Sequence, residues 1–494
     1  MGKHELNMRR ARLGLMHGRA SILVVLCLLG VLYVSTLDTH GMFMWDEAEY
    51  AAIGRSVLEG KGFSIGGHPN ALRPPLLPLA ATGVLWVSES ATDVSLKLAI
   101  VLFALLGLAM LYHAVRLAHG RGMALVAAIL LGLFPAFWQH TTHFLSEIPF
   151  LAFFMGAVFY MHHGLYGDPG YFKYSWACFG LALLTRYTAV LLGPILLLML
   201  ALAWLERDER PAIRARIFSR SFFLTPLVAA AILLPWFVRQ KIAFGDALEG
   251  FREASGQLQV FASDISMPWF FYLANIPGMV TWIGAALILV GLSRTLKERD
   301  RLGRTCILVS LFVLTWFSFY RFKEVRLVTA ILPFLAVLAA TGAQHLSRRY
   351  APRLDARIWG LIVGLVLGIN SYVMSKPFLT QSFTLGYPVL QQALDFLEAH
   401  SDEHDVIMSS LAPQVSWYTG RRTTHLPDRQ ELAASLDGAS WVLLVNFERG
   451  QPSYVPKLVA RFTVEDAETG RIHAFTDPRY QAYVVRASEL KKRL

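Results

Sequence analysis

Pro74-Pro75-Leu76-Leu77-Pro78-Leu79-Ala80-Ala81-Thr82-Gly83-Val84-Leu85-Trp86-Val87 is the stretch on which the topology of this chain turns. It is apolar almost throughout but only about 14 residues long, against the ~20 an α-helix needs to cross a bilayer. It opens on Pro-Pro, which denies a normal helix start before it, and it carries a third proline at Pro78. If it crossed, every basic connection after it would change sides. We read it as a juxtamembrane or re-entrant helix.

Around it the apolar runs are longer. Candidate spans lie at 21–37, 97–115, 122–138, 149–165, 174–185, 188–205, 218–238, 269–292, 305–320, 327–345 and 358–375, with 174–205 one stretch broken at Thr185-Arg186-Tyr187. Of 494 residues, 55% are hydrophobic and 16% charged. Soluble domains carry about 25% charged residues, so this composition is that of a membrane protein. The net charge of +11 does not point to nucleic acid, because most basic residues sit in short connections between spans. These are Arg116 and Arg121; Lys173; Arg207, Arg210, Arg214, Arg216 and Arg220; Arg294, Lys297, Arg299, Arg301 and Arg304; and Arg348, Arg349, Arg353 and Arg357. The positive-inside rule places them, with the basic N-terminus (Lys3, Arg9, Arg10, Arg12, Arg19), in the cytoplasm. The segment after that N-terminus is too long for a typical signal-peptide core, and Asp38-Thr39-His40 is a poor cleavage site, so 21–37 reads as the first span. Cys27, Cys178 and Cys306 lie in or at apolar segments and suggest neither disulfides nor a Cys-based metal site.

With the N-terminus inside, an outer loop runs from about Asp38 to Leu96, and the C-terminal segment also lies outside. The composition changes after Lys376-Pro377. Residues 388–399 read as an amphipathic helix, 405–409 and 440–445 as buried strands, and 430–436 as a helix between them. This predicts two domains, a membrane domain over 1–376 with its first outer loop at 38–96, and a small α/β domain over 377–494. We find neither a Gly-rich phosphate fingerprint nor an internal repeat.

The outer loop opens on Trp45-Asp46-Glu47-Ala48-Glu49-Tyr50. Carboxylates at the lip of a span are costly unless they serve a site. A hydroxyl or amine attacking a carbon needs a base, which Asp46 or Glu47 would supply, and Tyr50 would help position the substrate. Capping of a helix Glu47–Glu59 by Asp46 explains one acid, with Glu49 on the solvent face. Arg73, fixed by Pro74-Pro75 at headgroup level, is suited to phosphate oxygens. Glu147, in Ser146-Glu147-Ile148-Pro149, sits in a short outer loop near His140 and His143. It could hold an acceptor or a divalent cation with Asp46; for the two histidines an interfacial role is the simpler reading. Arg186 inside an apolar stretch, and Arg326 in Tyr320-Arg321-Phe322-Lys323-Glu324-Val325-Arg326, are further candidates for a lipid phosphate. Pairing within that cluster through Glu324 explains part of it. The outer loop 239–268 is long enough to cover a site but offers no motif.

Asp46-Glu47-x-x-Tyr50, Arg73-Pro74-Pro75-Leu76, Ser146-Glu147, Leu184-Thr185-Arg186 and Arg326 with Pro333 together resemble the GT-C glycosyltransferases. The branch they resemble is that of the bacterial protein mannosyltransferase-like and lipid A aminoarabinose transferase-like enzymes (family 39/83 type). The resemblance covers about residues 20–345. It implies a polytopic helical fold of about 11 transmembrane helices with an outer α/β domain, in a bacterial inner membrane. It implies inverting transfer from a polyisoprenyl-phosphate sugar to a protein, lipid or glycan acceptor on the extracytoplasmic side. Asp46 would be the base or acceptor-orienting group, and Arg73 and Arg186, at positions where relatives often carry Lys, would bind the donor phosphate. Glu147 stands at the second acidic position, often Asp in relatives. The aminoarabinose branch commonly has Arg before the Tyr, where this chain has Glu49. Metal use varies within the class, so a divalent cation is left open. A transporter or flippase of lipid-linked sugars is the competing reading, but it predicts charges at mid-span.

Overall fold

The computed structural model describes residues 20–37, 39, 42–43, 45–88, 92–206, 208–261, 267–321, 323–353, 356–380, 387–448 and 451–494. The basic N-terminus, Asp38, His40, Arg207 and Phe322 lie outside them. The chain divides into two compact units. One takes the described residues within Met1–Leu37, Pro74–Leu76 and Lys97–Leu379; the other takes those within Asp38–Arg73, Leu77–Leu96 and Thr380–Leu494.

The first unit is helical. Among the described residues eight helices are long and apolar enough to cross a membrane: Asp93–His119, Glu147–Tyr166, Tyr187–Leu205, Arg220–Phe244, Phe271–Glu298, Arg301–Ser318, Val325–Tyr350 and Ile358–Pro377. The remaining predicted spans form the shorter helices Ala20–Ser35, Arg121–Leu133 and Phe172–Leu183. The stretch 74–87 forms the 12-residue helix Leu76–Val87, about 18 Å long at 1.5 Å per residue and so too short to cross.

Helix Glu147–Tyr166 is buried almost all round, with Phe154 and Phe159 packed on Phe334. Peripheral helices expose Leu102, Leu197, Leu289 and Leu365, as expected where lipid is the solvent. Glycines set the closest crossings. A Cβ at Gly291 would fall 1.8 Å from the Leu338 carbonyl oxygen, and one at Gly342 would fall 2.1 Å from that of Leu287. Only residues without a side chain allow this approach. Gly360 and Gly364 receive Val126 and Ile129 in the same manner.

The second unit joins the first loop to an α/β domain. In the loop, β1 (Ser64–Ile65) pairs antiparallel with β2 (His68–Pro69). The domain has a five-stranded sheet of β3 (Val406–Ser409), β4 (Arg422–His425), β5 (Trp441–Val445), β6 (Ile472–Thr476) and β7 (Gln481–Arg486), in the order β4-β3-β5-β7-β6. Strand β3 runs parallel to β4 and β5; β7 is antiparallel to β5 and β6. Alternation along the strands builds two cores. Ile407, Leu443 and Val484 meet Leu390, Leu394 and Leu397 of helix Tyr387–His400, and Met408, Val442 and Val485 meet Leu432, Leu436 and Leu490.

The predicted helices and strands at 388–399, 405–409, 430–436 and 440–445 are all present within about a residue or two. Strands β4, β6 and β7 and the helix Ala412–Thr419 were not foreseen.

Candidate active site

The acidic loop folds as the helix Trp45–Leu58, favoured by Ala48, Ala51 and Ala52, with Asp46 and Glu47 in its first turn. Acids there are stabilised by the helix dipole. The helix starts at Trp45, so Asp46 lies within the first turn and does not cap a helix beginning at Glu47. A second expectation is also corrected. Glu49 does not face solvent; it is 6% exposed. Positions 46 and 49 are three apart and share a helix face, and Arg73 is clamped against both. Its Nη2 lies 2.7 Å from Asp46 Oδ1, and its Nε donates to Glu49. The Trp45 indole N–H donates to Glu49 Oε1 at 3.2 Å, and the Arg73 guanidinium stands 5.3 Å from the Tyr50 ring centroid. The Arg73 backbone N–H donates to Asn70 Oδ1 at 2.9 Å.

The electrostatics follow from burial and charge. Burial pushes the Glu49 carboxyl above its ordinary value, with Arg73 pulling the other way. Burial also opposes the charge on Arg73, but Asp46 and Glu49 outweigh it and hold the guanidinium well above its usual range. The trio is therefore a permanent cation between two acids.

This helix rests on helix Ala412–Thr419. The Arg55 guanidinium lies 4.1 Å from the Trp417 ring centroid, and Trp45 stacks on His425 at 5.8 Å between centroids. The Phe43 N–H donates to the Tyr418 hydroxyl at 2.7 Å; that hydroxyl donates in turn to Asp93, which also accepts from the Trp417 indole at 2.9 Å. Glu47 is buried at 1% exposure, and its charge reaches Tyr418. Glu49, Asn70, Asp93, Trp417 and Tyr418 are the supporting residues that sequence reading missed. Only the Asp46–Glu49 spacing could have revealed one of them.

The other candidates gather in the first unit. Glu147 opens the helix Glu147–Tyr166 and is 2% exposed. Arg186 sits where helix Phe172–Leu183 has ended and a 3-10 turn, Tyr187–Leu191, begins. Its Nη1 lies 2.5 Å from Glu147 Oε1 and 3.3 Å from Ser146 Oγ. The other Glu147 oxygen, Oε2, is buried without a hydrogen-bond partner. An unmet buried carboxylate oxygen is costly, so the arrangement is suited to a donor group on a ligand. Two residues before Arg186, the Leu184 carbonyl accepts from the Leu76 N–H at 2.9 Å, anchoring the Pro-Pro-Leu segment.

His140 is within electrostatic reach of Glu147, His143 and Arg326; burial pushes its pKa down while Glu147 pulls it up. Arg326 pairs with Glu324, as internal pairing of that cluster anticipated. Lys323 turns inward onto the carbonyls of Met267 and Tyr320. Among the described residues, no three His, Cys, Asp or Glu side chains gather so as to hold a metal ion.

Residues 72–238 match the family model described as dolichyl-phosphate-mannose-protein mannosyltransferase. That match includes Arg73, Glu147 and Arg186. No curated protein sequence matches the chain. In three dimensions it is similar to ArnT from Cupriavidus metallidurans bound to undecaprenyl phosphate, with a TM-score of 0.72 and 15% identity over 94% of this chain and 97% of that one. The apo form of that protein gives 0.71. An Archaeoglobus fulgidus oligosaccharyltransferase, in complex with Zn and sulfate, gives 0.60 at 13% identity over 85% of this chain and 67% of that one. At such identities these likenesses speak for the fold. The mannosyltransferase family match, over residues 72–238 of the 494, lies inside a multi-pass helical fold similar to that of ArnT.

Proposed function

We propose that the protein transfers a sugar from a polyisoprenyl phosphate to a nucleophile on a protein, lipid or glycan, at the extracytoplasmic side of a bacterial inner membrane. The observation that supports this most is the buried contact of Arg73 with Asp46 and Glu49. It joins a permanent cation within the family match to two carboxylates on the helix that precedes it. In the reaction, the acceptor oxygen or nitrogen forms a bond to the anomeric carbon as that carbon's bond to the phosphate oxygen breaks. The electron pair leaves with the lipid phosphate, and the acceptor proton passes to Asp46. Attack opposite the leaving group inverts the anomeric centre. Fixed cations lower the barrier as charge develops on the phosphate, a role we assign to Arg73, with Arg186 and Arg326 as further candidates for it. Glu147 Oε2 accepts from a substrate hydroxyl, and Tyr50 supports Arg73 through its ring.

The test is release of free polyprenyl phosphate by the purified protein in nanodiscs, supplied with lipid-linked sugars from the host membrane. Asp46→Asn should slow release by about 10²–10⁴-fold, the usual weight of a general base, while the protein stays folded. Equal release by both proteins removes Asp46 from the reaction.

A further inference from the structure

The contact at Gly291 and Gly342 has a second effect. The helices Phe271–Glu298 and Leu332–Tyr350 meet backbone to backbone there. One and two turns beyond, Arg294 and Lys297 on one helix and His345 and Arg349 on the other line a cavity of about 360 Å³, with Leu289 and Val290 among its apolar walls. Basic residues at the ends of spans are ordinary, and a helix C-terminus favours them. What distinguishes these is that they line one cavity with no Asp or Glu on its wall. At the neighbouring connection Arg301 and Arg304 are closed on Glu206 and Glu209. Among the described residues Arg294 and Lys297 make no ion pair, and Arg349 rests only on the Tyr350 ring, 5.3 Å from its centroid. Glu298, whose charge reaches His345, does not line the cavity.

Three like charges around so small a space repel one another until an anion enters. Leu289, 67% exposed at the same mouth, offers a path for hydrocarbon. We propose that this cleft binds an anionic glycerophospholipid, with Arg294, Lys297 and Arg349 on its phosphate and an acyl chain along Leu289 and Val290. Basic pockets between membrane helices suit such headgroups.

The experiment is native mass spectrometry of the full chain, delipidated in detergent and titrated with phosphatidylglycerol or phosphatidylcholine. Phosphatidylglycerol should be retained in preference to phosphatidylcholine. The triple variant R294Q/K297Q/R349Q should weaken retention about a hundredfold, at ~1 kcal/mol per cation and a factor of ten per 1.4 kcal/mol. Arg220→Gln, in another connection, should leave it unchanged. If the triple variant does not fold, Arg349→Gln alone should weaken retention about fivefold on the same arithmetic. Equal retention of the two lipids, or an unchanged affinity in the folded variants, overturns the proposal. Displacement of the lipid by millimolar inorganic phosphate overturns it too, in favour of a free-phosphate site.

Discussion

Arg73→Met isolates what the clamp contributes. Glu49 is 6% exposed, and the side chains of Asp46 and Arg73 are 24% and 16% exposed. Without the guanidinium, Glu49 keeps the Trp45 indole N–H, and a buried carboxylate loses its counter-charge. Removing one partner of a buried pair costs about 3–5 kcal/mol. The lower end applies here, because Glu49 can take up a proton and Asp46 retains some water. About 3 kcal/mol raises local opening of the helix Trp45–Leu58 more than a hundredfold. Amide hydrogen exchange over that helix, corrected for intrinsic rates, is the assay.

The pH dependence carries a definite sign. Glu49 in the folded chain sits above its ordinary value. Stability therefore falls as pH rises from the unfolded value through the folded one. Without Arg73 the folded value climbs further, so the deficit of the variant is smallest in acid and grows as pH rises. Adding Glu49→Gln to Arg73→Met removes the stranded charge and should return most of the protection without returning glycosyl transfer. Wild-type protection in Arg73→Met under mildly alkaline conditions would refute the reasoning, as would a double variant as unprotected as the single one.

Three further outcomes follow from the same structure. Arg186→Gln should destabilise by about 3 kcal/mol and Glu147→Gln by about 1, since the first strands a charge that is 2% exposed and the second frees a guanidinium that is 19% exposed; thermal unfolding of the two purified variants checks the order. Gly291→Leu should cost more than about 4 kcal/mol, because its side chain must displace the Leu338 backbone, and it should read out as loss of the monodisperse peak in gel filtration. Tyr418→Phe removes the hydroxyl between Phe43 and Asp93 and should cost about 1–3 kcal/mol, seen as faster exchange at Phe43 while transfer falls less than in Asp46→Asn.

The membrane architecture was largely legible because long apolar runs have few other uses. Thr185-Arg186-Tyr187 marked a true break between helices, and Pro-Pro marked a short helix. The α/β domain was half legible. Strands β3 and β5 are continuous apolar runs in the middle of the sheet. The strands β6 and β7 alternate in exposure, and β4 is the polar Arg-Thr-Thr-His, so none stands out from loop sequence. Residue type alone nominated Asp46, Arg73, Glu147 and Arg186 as candidates. Their pairings required the fold, since Arg73 lies 27 residues from Asp46 and Arg186 lies 39 from Glu147. Tyr418 could not have been found by any local signal, because its partners are hundreds of positions away.

That distance also has a meaning in time. Phe43 and Tyr418 are separated by 375 positions. At about 5–20 residues per second, a ribosome needs roughly 20 to 75 s to travel from one to the other. Throughout that interval every apolar helix can be made and inserted while the segment bearing Asp46 has Arg73 and Thr82 beside it but not yet Trp417, Tyr418 or His425. Insertion and completion of this helix's surroundings are thus separate events in the life of the chain, and a nascent chain halted before Ala412 would carry its acidic helix clamped by Arg73 but without the helix Ala412–Thr419 against it.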